Sequence, residues 1–190
     1  NVVSSPASYR FAGKARIVGS LWTKGECGKL DRTAVFRVDW STDIGHGHVQ
    51  RCLALMDALE GHGFKGIFVA RPGEGRAVSV VESRGHTVFT LPAVAAPSAN
   101  SSEAEENDAR QFSEALEGRS PELVIVDHYE LGYSWESIVR SRLDAPVVAI
   151  DGRADRAHAA SVVVDPSFTT ADDGRWRGLL APGTQLLRGV

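Results

Sequence analysis

From Ala34 onward the chain alternates short apolar runs with longer segments of helical period, and this alternation constrains the fold more than any other feature. Ala34–Trp40 reads as a strand. Gly47 to about Glu60 reads as a helix, because Val49, Cys52, Leu53, Met56 and Leu59 recur at helical spacing on one face, and Gly61 and Gly63 stop it. Lys65–Ala70, His86–Leu91, Leu123–Asp127, Pro146–Ile150 and Ser161–Asp165 read as further strands. Glu74–Arg84, Glu103–Gly118 and Ser134–Leu143 read as the helices between them. Residues 92–102, rich in Pro, Ala, Ser and Asn, read as a mobile loop, and the last 25 residues show turn signals and short helical pieces only. Strands separated by helices imply a parallel sheet. The expected class is therefore α/β, a Rossmann-like, mostly parallel sheet with flanking helices. The nearly continuous apolar run Leu123–Val126 suits the centre of such a sheet.

Composition narrows the options. The 190 residues are 43% hydrophobic and 24% charged, ordinary for a globular domain. The net charge of −3 argues against a nucleic-acid partner. No apolar run approaches the roughly 18 residues of a membrane span, and the N-terminus lacks the apolar core of a signal peptide. Cys27 and Cys52 do not make a disulfide framework. These features lead us to expect a cytoplasmic protein with no membrane span. Residues 1–33 carry six Lys/Arg against two Asp/Glu and show no sustained apolar period. They read as a basic N-terminal extension of unknown role, ahead of a Rossmann-like domain over 34–190.

In open parallel sheets, ligands bind beyond the carboxyl ends of the strands. Three polar groups fall there: Asp43–His48, Asp127-His128-Tyr129 and Asp151-Gly152-Arg153. After the first strand, Gly45 and Gly47 open the backbone to close approach by a ligand. The helix start beyond them offers N–H groups and partial positive charge to a phosphate or diphosphate. The segment matches neither G-x-G-x-x-G nor a Walker A loop, so the sequence supports only generic anion binding. His48 opens the helix, where imidazolium is disfavoured; a neutral ring there suits a general base for water. His46 reads as an exposed turn residue. Arg51 shares the face of His48 and could pair with Asp39, Asp43 or a substrate phosphate. Tyr129 could hold a hydroxyl or a diphosphate, and His128 could orient a carboxylate. Asp43, His46, His48, Asp127 and His128 are zinc or manganese ligand types. They lack the H-E-x-x-H, C-x-x-C or D-x-D spacing of a metal site, so no metal and no cofactor is expected. G-x-S-x-G is absent, which disfavours a serine nucleophile.

The ordered motifs resemble a known family. Phe36-Arg37-Val38-Asp39 leads to Ile44-Gly45-His46-Gly47-His48-Val49-Gln50-Arg51-Cys52-Leu53-Ala54-Leu55. This is similar to the F-R-x-D … I-G-x-G-H-x-x-R-x-L-x-L of the nucleotide-sugar hydrolases of pseudaminic acid biosynthesis and the related spore-coat polysaccharide proteins. Val126-Asp127-His128-Tyr129 resembles their V-D-H-Y, and Trp135-Glu136 the W-E that follows. Ile150-Asp151 with Arg156 and His158 resembles D-D … R-x-H, and Leu180, Gly183 and Leu186-Leu187-Arg188 resemble L-G-x-x-Y-x-L-L-R.

The resemblance covers 34–190 and implies the N-terminal domain of a GT-B-like enzyme, the architecture of the glycosyltransferase that forms lipid II. It implies hydrolysis of a UDP-activated deoxyamino sugar to UDP and free sugar. His48 and Tyr129 would be catalytic, and Asp39, Gly45, Gly47, Arg51, Asp127 and His128 would bind substrate. It also implies that most of the nucleotide is held by a C-terminal GT-B-like domain or chain as partner, without which this half is inactive. Gly152, Ala160-Ser161 and Gln185 depart from the family's Asp, Cys-Asp and Tyr. The alternatives are the acceptor-binding domain of a GT-B glycosyltransferase and a non-catalytic half or assembly module.

Overall fold

The computed structural model describes residues 32–39, 47–71, 77–93, 102–167 and 174–189. The elements are β1 (Arg32–Val38), α1 (Gly47–Glu60), β2 (Phe64–Ala70), α2 (Ala77–Ser83), β3 (Thr87–Thr90), α3 (Ser102–Ala115), β4 (Leu123–Asp127), α4 (Tyr133–Leu143), β5 (Val147–Ile150), β6 (Val162–Asp165) and β7 (Gln185–Arg188). The basic extension read over 1–33 lies outside the described residues, except Arg32 and Thr33, which belong to β1. Most of the loop read over 92–102 also lies outside them.

All seven strands are parallel, in the order β3-β2-β1-β4-β5-β6-β7. The chain runs outward from β1 through β2 to β3, returns to the other side of β1 as β4, and continues outward to β7. The strand order therefore reverses between β1 and β4, where a doubly wound sheet leaves a crevice for ligands.

Side-chain alternation sorts the core into two layers. Ala34, Phe36, Val38, Phe68 and Ile125 pack under α1 and α2, together with Val49, Cys52, Leu53, Met56 and Val81. Phe36 and Phe68 stack there with centroids 4.7 Å apart. Val35, Val69, Val124, Val126 and Val147 face the other way, against Ala109 and Phe112 of α3 and Trp135 and Val139 of α4. Each fully buried side chain of this size contributes about 1.5–3 kcal/mol. The apolar stripe of α1 is buried as its spacing requires. Among the described residues no helix is long and apolar enough to cross a membrane.

One expectation is corrected. The C-terminal segment is not confined to turns, because Gln185–Arg188 adds a seventh strand alongside β6. It is an edge strand with only Leu186 and Leu187 apolar, too short for a visible period. Leu186 packs against the α3/α4 core.

Candidate active site

The last residue of β4, Asp127, lies level with Val38 at the end of β1, so it sits at the strand-order reversal. The first turns of α1 overhang the same point. His48 Nδ1 lies 2.6 Å from Asp127 Oδ1. Arg51, one turn further along α1, donates to both oxygens of the same carboxylate, Nε to Oδ2 at 2.8 Å and Nη2 to Oδ1 at 2.6 Å. The Cys52 thiol approaches Oδ2 at 3.8 Å. The Asp127 carboxyl is thus buried and held by α1, and it is placed to accept a hydrogen bond from the His48 Nδ1–H. That fixes the tautomer and leaves Nε2 as the basic ring atom. Among the described residues no hydrogen bond is made to Nε2.

Tyr129, two residues beyond Asp127, sets its ring edge-on to His48, with centroids 4.5 Å apart and an interplanar angle of 87°. Tyr129 itself is 46% exposed. The Arg153 guanidinium lies 5.3 Å from that ring. The His48 side chain is buried, keeping 7% of its surface exposed, beside the exposed Tyr129. Two open surface grooves of about 620 and 640 Å³ lie elsewhere, along α3 and α4 and at the start of β5. Neither includes His48 or Tyr129, and neither gathers comparable chemistry.

A second group of charges adjoins the first. Arg37, on β1 and wholly buried, donates to Asp39 through Nη1 at 2.5 Å and Nη2 at 3.0 Å. It also donates to Asp108 of α3 through Nε at 3.0 Å and Nη2 at 2.8 Å. Arg71 and the Trp135 indole complete the shell of Asp108. Asp39 also accepts the Arg71 backbone N–H at 2.8 Å and faces His128 Nε2 at 3.0 Å. His128 Nδ1 accepts the Glu130 N–H, so Nε2 carries the proton and donates to Asp39. Burial alone would raise the pKa of Asp39. The Arg37 charge and the His128 and Arg37 hydrogen bonds outweigh it and hold the carboxyl well below its ordinary range. Asp108 is likewise lowered, against its burial, by Arg37, Arg71 and Trp135.

A third group lies behind the loop that carries Tyr129. Buried His158 has Nδ1 2.6 Å from Glu136 of α4 and Nε2 3.0 Å from Asp151. Burial would lower its pKa, but the hydrogen bonds to Asp151 and Glu136 raise it to about 9. Arg156 binds Asp151 at 3.1 Å.

The expected site residues His48, Arg51, Asp127 and Tyr129 therefore form one group, and Asp39 and His128 form a pair in the adjoining one. Arg51 pairs with Asp127 rather than with the partners its spacing suggested. Gly47 starts α1 beside open space, where an added Cβ would meet nothing within 4 Å. Gly45, Asp43 and His46 lie outside the described residues. Among the described residues no group of three or more His, Cys, Asp or Glu side chains is arranged to hold a metal. Sequence reading missed Asp108. Its signal was an acidic residue sharing the helix face of Ala109 and Phe112, spaced one and four positions away.

No protein-family model matches the chain. No curated protein matches it either. Among solved structures, MurG of Acinetobacter baumannii aligns with a TM-score of 0.55 and 14% identity, covering 83% of this chain and 45% of that one. A glycosyltransferase from Rickettsia africae aligns with a TM-score of 0.47 and 12% identity, over 64% of this chain and 30% of that one. The chain thus spans less than half the length of MurG. At such identity the likeness is one of fold, and the fold is the GT-B-like, Rossmann-type sheet that the motifs implied. The hydrolase family itself has no counterpart among these neighbours.

Proposed function

We propose that the chain is the acceptor-side half of a GT-B-type enzyme acting on a nucleotide sugar, with a second Rossmann-like unit, in the same polypeptide or another, holding the nucleotide. The observation that carries this reading is the His48–Asp127 pair at the strand-order reversal. Asp127, paired with Arg51, accepts a hydrogen bond from the His48 Nδ1–H and keeps the ring in the tautomer with Nε2 free. Nε2 then accepts the proton of an incoming hydroxyl as that oxygen bonds to the anomeric carbon. The bond from that carbon to the diphosphate breaks, and its electron pair leaves with the nucleoside diphosphate. Deprotonation by a positioned base is worth about 10²–10⁴ in rate. Tyr129, edge-on to the His48 ring, offers a phenol to the acceptor. Asp39 holds His128 in place and does not touch the substrate, since its oxygens already accept from Arg37, Arg71 and His128.

The acceptor is a sugar hydroxyl in the leading reading, because the structural neighbours are GT-B glycosyltransferases. The second reading makes water the acceptor, giving hydrolysis of a UDP-activated deoxyamino sugar. The motif order from Phe36 to Arg188 favours it. One experiment separates the two. UDP release from UDP-activated amino sugars is measured on protein containing both halves, with and without a glycan acceptor. Release that depends on the acceptor supports transfer, and release of free sugar without one supports hydrolysis. In either case His48→Ala is expected to lower kcat by about 10²–10⁴. Turnover at the wild-type rate would remove His48 from the chemistry.

A further inference from the structure

The loop from His128 to Gly132 carries Tyr129, yet it has no regular structure of its own. Its backbone is held from outside at both ends. Arg156 donates Nη2 to the His128 carbonyl at 2.8 Å and Nε to the Leu131 carbonyl at 3.0 Å. Glu105 of α3 accepts the Gly132 and Trp135 N–H groups at 3.0 Å, which caps α4 from a neighbouring helix. Arg156 therefore grips the carbonyls at the two ends of the segment that carries Tyr129, those of His128 and Leu131, with a planar fork that lysine cannot reproduce. The fit is close. A Cβ on Gly132 would come within 3.1 Å of Arg156 Cδ.

Arg156 is fixed in turn. Its Nη1 binds Asp151 and Asp155. The Asp151 oxygen that Arg156 binds, Oδ2, is also bound by His158, which is bound by Glu136, and Glu136 also accepts the Ala159 and Ala160 N–H groups. A neutral imidazole has one N–H, so one of the two carboxylates would face a bare lone pair; both are satisfied only by imidazolium. Charges thus alternate from Glu136 through His158 and Asp151 to Arg156, ending on the loop.

From this geometry we infer that Arg156 is a positioning residue, setting the Tyr129 ring against His48 by clamping the carbonyls of His128 and Leu131. That this loop serves a reaction rests on the function proposed above; the clamp does not. Its test needs no substrate. The full chain, with three tyrosines, is labelled with 3-fluorotyrosine and read by fluorine NMR, Tyr129→Phe assigning the line. Arg156→Gln is expected to shift or broaden the Tyr129 line, while Arg110→Gln, on an exposed α3 pair, leaves it in place. Arg156→Lys keeps the charge against Asp151 and preserves the fold should the Gln variant lose it. It is expected to move the line as well, because it loses the fork. A Tyr129 line unmoved in the folded Lys variant would overturn the assignment. An unmoved line would leave the role of His48 standing, and an active His48→Ala enzyme would leave the clamp standing.

Discussion

Two clusters of buried charge meet at the same rim of the sheet and are built to opposite ends. Around Arg37 both carboxylates are bound bidentately by one fully buried guanidinium, and Arg71, Trp135 and His128 fill the remaining positions. Around Asp127 the carboxylate is equally buried, but its partners lead outward. The Arg51 side chain is 39% exposed, and His48 borders a half-exposed tyrosine. A saturated cluster can only hold elements together, here β1, α3 and the start of the loop after β2. A cluster that leaves one ring nitrogen without a hydrogen-bond partner among the described residues, beside an exposed tyrosine, can take part in chemistry.

Removing the central cation should separate them most strongly. Arg37→Leu removes the guanidinium that binds two buried carboxylates bidentately and is expected to cost about 3–5 kcal/mol in urea unfolding at pH 7. Arg51→Leu leaves Asp127 with His48 and water access, and should cost only about 1–2 kcal/mol. It should instead impair turnover. Equal losses in the two variants would erase the distinction between a structural and a functional cluster.

The third cluster sharpens the comparison through pH. The pKa of His158 is raised on folding, so its contribution is complete below the unfolded value near 6.5 and is lost as pH rises through about 9. The depressed carboxyls of Asp39 and Asp108 behave in the opposite sense: their contribution is present above about pH 4 and is lost as pH falls. The stability difference between wild type and His158→Gln should therefore shrink by on the order of 3 kcal/mol between pH 6 and pH 10. A difference that stays flat across that range would mean that His158 is not charged in the folded chain.

What the sequence could disclose follows from the range of each interaction. Helix α1 was legible in full because its stripe repeats within one segment and glycines end it. The sheet class followed from alternation alone, and the crowding of Asp127, His128 and Tyr129 after an apolar run marked the rim. Pairings were not legible. Arg51 finds Asp127 at a separation of 76 residues, a choice made by β4 inserting beside β1. Asp108 was hidden in the run Glu103–Asp108, which reads as an acidic helix start. Glu136 and His158 stood in recognised motifs, but spacing says nothing of a buried ion pair between α4 and a loop after β5. The strand at Gln185–Arg188 carries too little apolar pattern to announce itself and forms because β6 offers it an edge.

The smallest expected effect marks where charge ceases to matter. Arg84 reaches Asp57 on α1 at 3.1 Å, as close as Arg156 lies to Asp151, so distance alone would rank the two pairs alike. Their surroundings differ: the Arg84 and Asp57 side chains are 41% and 57% exposed, against 17% and 2% for the other pair. In water the attraction is screened and ordering two long side chains offsets it, leaving about 0.2–1 kcal/mol. Arg84→Ala should therefore shift the urea midpoint barely, and by less still in high salt. A loss near that of Arg37→Leu would show that contact distance, rather than burial and saturation, governs charge in this fold.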